Sequence, residues 1–410
     1  MHSAKSKNTQ FFYGYIIVLV ALFILAVAEG TLYSFGVFLK PLATDFGWTR
    51  AETAGAFSIF LVINGLLFIL TGKLNDRFGP RVVVTVCSLL LGLGYMLMSQ
   101  VSAVWQLYLF HGVIIAMGES GYWVPLPSTV ARWFVKRRGT MTGIAVAGVG
   151  LGTLIIPPIT SQLIASYGWR TSYLISGITA LVLIMSAAQF LKRAPSQMGL
   201  SPYGESAKEA ENLSFDVEGA SLSQALSTKQ FWMLGAMYFC FGFSLLTIMA
   251  HIVPHTTDIG IPDITAASIL SIIGGTSIVG RIGIGSASDK IGNKLSLIIS
   301  FVLLSAVFFW LLIAKELWML YLFAVIFGFT YGGLATLTSI SVAELFGIRA
   351  HGTILGTINF IYYGGCAVGS FVAGHIFDIT NSYYLAFQIA VALSVTGLLL
   401  ATLLKPPKTS

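Results

Sequence analysis

The chain has 410 residues, of which 56% are hydrophobic and 10% charged, and its formal net charge is +7. An ordinary soluble domain carries roughly 25% charged residues, and a soluble chain of this composition could not cover its own surface. Apolar runs recur from end to end and mean hydropathy is +0.84, so the expected fold is an all-α protein that crosses a membrane many times.

A crossing needs about 20 apolar residues. Twelve runs qualify: 12–38, 52–72, 81–100, 104–133, 140–166, 171–191, 230–256, 264–286, 294–313, 318–344, 352–377 and 382–404. The first run is too long, and too free of a cleavage site, to read as a removed signal peptide. It carries Glu29, Tyr33 and Lys40 on one face, Glu29 and Lys40 lying about three turns apart. The second and third spans are joined by GKLNDRFGPR at 72–81, where Asp76 stands beside Arg77 and Arg81. Such charges at helix ends can pair in one state and part in another, a two-state latch; the plainer reading is a solvated turn. The fourth span holds Glu119 and Tyr122. Carboxyl groups inside spans are functional candidates by default, so Glu29 and Glu119 are candidates to carry a proton. The plainer reading is a neutral acid at a helix contact. Gly148, Gly150 and Gly152 spell GxGxG inside the fifth span with no strand before them, which suits close helix packing rather than nucleotide binding.

The long polar stretch 192–229 reads as a linker of mixed charge, Pro, Gly and Ser. In the seventh span Ser244, Thr247, His251, His255 and Asp258 descend one face, either a proton or water route or a polar helix interface. The eighth span carries Arg281, which costs ~2.5–3.5 kcal/mol in a span centre on insertion scales. Ser277 and Gly274 share its face and leave room for an anion; guanidinium binds a carboxylate bidentately. The alternative is a side chain that snorkels to the nearby interface. GSASDKIGNK follows at 285–294 and contains Asp289. The tenth span offers Phe327 and Tyr331. The eleventh offers the semi-polar stripe Asn359, Tyr362, Tyr363, Cys366 and Ser370, with Phe360 beside Asn359 and no Lys or Arg. Cys87, Cys240 and Cys366 fall inside spans and read as small apolar fillers. No metal cluster, phosphate loop or nucleophile–base pair stands out, so no cofactor is expected.

Of 23 Lys and Arg residues, eighteen fall on the N-terminal side of the membrane, four (Lys40, Arg50, Arg170 and Lys315) on the other, and Arg281 within a span. The positive-inside rule puts both termini and 192–229 in the cytoplasm. The net charge is thus a topology signal and not a nucleic-acid patch. The halves repeat. GKLNDRFGPR matches GSASDKIGNK at a shift of 213, which also relates Gly139 to Gly352 and Gly143 to Gly356. Two pseudo-symmetric six-helix bundles, 1–191 and 230–410, are expected around the linker, with a substrate site between them near mid-membrane.

The pattern Gly72-x-Leu74-x-Asp76-Arg77-x-Gly79-x-Arg81 and its second copy resemble the signature of the major facilitator superfamily. More narrowly, YSFGVFLKPLATDFGW (33–48), ARWFVKRRGTMTGIAVAGVGLG (131–152) and YGWRTSY (167–173) resemble the monocarboxylate transporter family, close to the bacterial oxalate–formate antiporter branch. The resemblance implies a cavity lined by helices 1, 4, 7 and 10, and a substrate-binding arginine in helix 8, here Arg281. Tyr33, Tyr331, Tyr122, Asn359 and Phe360 complete the expected substrate set, and Asp76, Arg77, Arg81 and Asp289 the expected latch. This chain departs from the family in three places. The aspartate four residues before the helix 8 arginine is Ser277, the helix 1 lysine aligns near Val37, and the helix 11 lysine of the oxalate–formate branch lies near Asn359. One fixed cation suits a monoanion. The expected function is transport, not enzymatic: secondary active, proton-coupled symport of small monocarboxylates such as lactate or pyruvate in the bacterial cytoplasmic membrane. The proton is assigned to Glu119, Glu29 or Asp258. Partners are the acid, protons and the bilayer, without nucleic acid or nucleotide. An organic-anion antiporter of the oxalate–formate type is the alternative.

Overall fold

The computed structural model describes residues 12–204 and 219–405. Lys5, Lys7, Lys208 and Lys408, and the linker centre 205–218, lie outside the described residues. Among the described residues, ten helices are long and apolar enough to cross a membrane. One of them, Arg138–Ala188, has 51 residues and is broken at Gly168. The segment 104–133 is interrupted and falls outside those ten. Dividing the first and adding the second gives twelve passes: α1 Gly14–Phe46, α2 Arg50–Phe78, α3 Pro80–Met98, α4 104–133, α5 138–167, α6 169–188, α7 Lys229–Asp258, α8 Asp263–Ile291, α9 Asn293–Leu311, α10 Leu317–Phe346, α11 His351–Thr380 and α12 Tyr384–Leu403.

α2 and α8 run past the expected residues 72 and 286 to Phe78 and Ile291, and three further features depart from regular spans separated by loops. α1 runs on past residue 38 to Phe46, with Pro41 inside, because Phe38 and Leu42 keep an apolar face buried. Its C-terminal end is held where Trp169 Nε1 donates to Asp45 Oδ2 at 2.6 Å. α4 is not one regular helix. Tyr108–Ile115 winds as a π-helix, and Pro125 and Pro127 follow a break at Val124. Gly168 (φ 75°, ψ 163°) replaces the expected loop between α5 and α6, a conformation that suits glycine.

One apolar core unites residues of α1–α6, and a second unites α7–α12 with Phe68 and Val124 joining from the first half. The halves touch along α2–α11 and α5–α8. Backbones meet there closely: a Cβ on Gly72 would collide with Gly352 O, and one on Gly139 with Gly285 O. Small residues at such crossings permit this approach.

Candidate functional site

Between the halves lies a chamber of about 50 Å³, space for a few water molecules. α1 lines it with Glu29 and Tyr33, α4 with Trp123, α7 with Phe241, α10 with Tyr331, and α11 with Asn359, Tyr362 and Tyr363. Asn359 uses both ends of its amide. Its Oδ1 accepts from Trp123 Nε1 at 3.0 Å and its Nδ2 donates to Leu355 O at 2.9 Å. The first bond ties α4 of one half to α11 of the other.

Arg281 sits directly behind this wall and is 0% exposed. Its Nη1 donates to Ser277 Oγ at 2.6 Å and its Nη2 to Tyr331 OH at 3.1 Å. The guanidinium carbon lies 5.0 Å from the centre of the Tyr331 ring, a cation–π distance. Nε has no partner. Complete burial within the protein removes the snorkelling alternative. Glu29 faces the chamber and feels the Arg281 charge, but among the described residues no ion pair joins them. Glu119 lies behind Glu29 inside the first half, 3% exposed, with neither carboxyl oxygen hydrogen-bonded.

Tyr33 and Tyr363 also border a larger vestibule of about 800 Å³ between α1, α2, α7 and α11. It occupies the half of the molecule away from the end that carries Lys73, Arg81, Arg132 and Lys290, hereafter the basic end.

The basic end is closed by two matching carboxylates. Asp76 Oδ1 accepts from Gly352 N at 3.0 Å, and Oδ2 from Thr353 N and Thr353 Oγ1, both at 2.8 Å. Asp289 accepts from Gly139 N at 2.7 Å, Thr140 N at 2.7 Å and Thr140 Oγ1 at 2.6 Å. Each acid thus caps the first turn of a helix in the opposite half, where free N–H groups and the helix dipole favour an anion. Only Asp76 has an ion-pair partner among the described residues, Arg132 Nη2 at 2.6 Å.

The expected residues are therefore distributed unevenly. Glu29, Tyr33, Tyr331 and Asn359 meet at the chamber, with Arg281 behind Tyr331. Phe360 lines the vestibule instead. Tyr122 is fully buried within the first half, and its neighbour Trp123 faces the chamber. Asp258 ends α7 beside His255 and lines neither cavity. Arg77 and Arg81 do not engage the opposite half: Arg77 lies over the Phe78 ring, and Arg81 donates to Gln189 Oε1 at 2.7 and 2.9 Å. Phe327 stacks in the second core on Phe323. The polar face of α7 turns to α11, where Thr247 Oγ1 donates to Gly369 O and His251 Nε2 meets Ser370 O. Trp123, Arg132 and Thr353 were not singled out in the sequence, and Gly352 entered only as the repeat counterpart of Gly139. The half-length repeat held a signal for the last two, since Gly352 and Thr353 are the counterparts of Gly139 and Thr140.

Known proteins agree with this architecture. A family model described as the Major Facilitator Superfamily matches residues 18–293 and 252–410. Monocarboxylate transporter 13 of Rattus norvegicus is 28% identical over 387 residues, 94% of this chain and 87% of that protein. YhjX, an uncharacterized MFS-type transporter of Escherichia coli, is 26% identical over 363 residues, 86% of this chain and 85% of that one. Among solved structures, the proton:xylose symporter XylE superposes with a TM-score of 0.74 at 15% identity, covering 97% of both chains. The human organic anion transporter MFSD10 gives 0.73 at 15% identity, covering 95% of this chain and 99% of that one. At such identities the structures speak for the fold alone.

Proposed function

The chain belongs to the major facilitator superfamily, a membrane transporter and not an enzyme, and from that premise we propose that it moves small monocarboxylates of the lactate and pyruvate kind together with a proton. The observation that carries this reading is Arg281, a fully buried guanidinium against a chamber that offers no second Lys or Arg among its described lining residues. A single fixed cation matches a single carboxylate. The low-identity kinship with proteins named monocarboxylate transporters supports the same class. Glu29 on the chamber wall and Glu119 behind it supply carboxyl groups for the proton. The basic end faces the cytoplasm on the charge bias of the loops, so the closed latch and the vestibule describe a state turned away from the cytoplasm. The substrate set is Arg281, Tyr331, Tyr33 and Asn359, with Trp123 added.

Uptake of labelled lactate or pyruvate into vesicles containing the purified protein, with and without an inward proton gradient, tests the reading. Accumulation that follows the gradient supports symport. Exchange that needs a second anion on the far side, and ignores the gradient, favours the organic-anion antiporter instead.

A further inference from the structure

An acid the size of lactate leaves the larger of the two cavities unused. The chamber measures about 50 Å³ and the vestibule about 800 Å³. Drug-sized ligands occupy cavities of roughly 300–1,000 Å³, lined mainly by apolar groups with a few placed polar ones. The vestibule has that character. Its walls are built from residues such as Leu32, Phe35, Leu61, Met249, Phe360 and Phe371, while Ser58, Ser370 and the two shared tyrosines are its main polar members. Covering so much apolar surface with an apolar group in place of water lowers the free energy.

The two cavities are neighbours, with Tyr33 and Tyr363 between them bordering both. A carboxylate drawn toward Arg281 from the chamber has these two rings and the vestibule beyond them as the neighbouring space for its remaining atoms. The backbone leaves space for them. Gly36 on α1 and Gly364 on α11 both line the vestibule, and a Cβ on either would meet nothing within 4 Å. Many other glycines of the bundle, such as Gly72, Gly139, Gly148 and Gly280, mark helix crossings where a Cβ collides, while Gly274 and Gly275 are open like these two but line neither cavity. Gly36 and Gly364 instead leave open volume.

We infer that the vestibule is an apolar subsite for the body of the transported acid, so that the preferred substrates are amphiphilic monocarboxylates with a branched, linear or aromatic body of about five to nine carbons. Lactate and pyruvate reach the anion site but leave this subsite empty. The inference rests on the monocarboxylate reading above and adds the chemistry of the rest of the substrate.

The test is binding to the purified protein in nanodiscs, followed by calorimetry with acetate, butyrate, hexanoate, octanoate and phenylacetate, beside lactate. Affinity is expected to rise about fourfold for each added methylene, the ~0.8 kcal/mol of a buried CH2, with an increasingly negative heat-capacity change. Gly364→Leu and Gly36→Leu each fill the open volume, and in both the octanoate-to-butyrate affinity ratio is expected to fall toward unity. Partition into lipid is the same for all variants, so the change in that ratio reports the subsite. Equal affinity along the series in the original protein, with no response in either leucine variant, would overturn the subsite and leave the monocarboxylate reading standing. Octanol binding as tightly as octanoate would also overturn it, since the vestibule would then take acyl chains of any head group. Failure of every acid to bind would remove both readings together.

Discussion

Arg281 is held by the two groups that an anion would displace or join. Ser277 and Tyr331 occupy two of its nitrogens, and Nε is free. A buried donor without an acceptor costs roughly 1–3 kcal/mol, more when charged, and a carboxylate removes that cost. Arg281→Ala is therefore expected to abolish monocarboxylate binding in calorimetry. Arg281→Lys keeps the charge but loses the planar fork, and a loss of ~10–100-fold is expected from the ~1.5–3 kcal/mol of a charged hydrogen bond. Unchanged affinity in the alanine variant would reduce Arg281 to a packing residue. Asn359→Lys places a second cation at the chamber, at the expense of the bond to Trp123, and oxalate is expected to bind that variant better than the original protein. No gain for oxalate would remove Asn359 from the substrate set. Arg281 was legible because it is the one charge in an apolar run. Trp123 was not, because the π-helical turn at Tyr108–Ile115 adds residues to a turn and rotates everything after it. The sequence pointed instead to its neighbour Tyr122, which is buried within the first half.

At the scale of the elements, the halves are joined at the basic end by carboxylates on helix N-termini. A capping interaction of this kind is worth ~0.5–2 kcal/mol, and a change of one to two kcal/mol moves a two-state population by about 5–30-fold. Asp76→Asn and Asp289→Asn are each expected to shift the protein toward states open at the basic end. Thiol labelling of a cysteine placed at Thr338, on the chamber's α10 wall, reads this from that end. The Asp76 variant should shift further, because it also releases Arg132, whose repeat counterpart is Leu345. Equal labelling in both variants and the parent would mean that the caps do not hold the closed state. The repeat made the two acids legible, since the shift of 213 carries Asp76 onto Asp289. Their partners were harder to see, because each lies in the other half of the chain. The adjacent arginines drew attention first, yet Arg77 and Arg81 stay on their own side. The glycines of α5 were read correctly as packing residues: a Cβ on Gly148 would strike Leu22 O and one on Gly152 would strike Ala26 O.

For the whole molecule, the twelve passes and the two cores follow from long apolar runs and an internal repeat, signals that survive small errors at each boundary. What hydropathy could not give is which faces meet at the centre, since several spans are apolar nearly all round. That matters most for proton coupling. A monoanion entering alone works against an inside-negative potential at ~2.3 kcal/mol per charge per 100 mV, and one proton carried with it makes the step electroneutral. Glu29 lies on the chamber wall within the field of Arg281, and Glu119 lies behind it without a hydrogen-bond partner. A substrate carboxylate at Arg281 neutralises that cation. In the proposed symport this links the substrate to a proton on the neighbouring acid, and linkage makes each binding event strengthen the other. Asp258 is too far toward the end of α7 to share this coupling directly. Glu29→Gln is therefore expected to bind monocarboxylate without proton uptake and to lose gradient-driven accumulation while retaining exchange. Glu119→Gln is expected to slow accumulation, as the second station for the same proton. Uptake driven only by an inward proton gradient, measured beside counterflow in the same vesicles, separates the two effects. Full gradient-driven accumulation in both variants would take the proton away from these acids and leave it to the substrate itself.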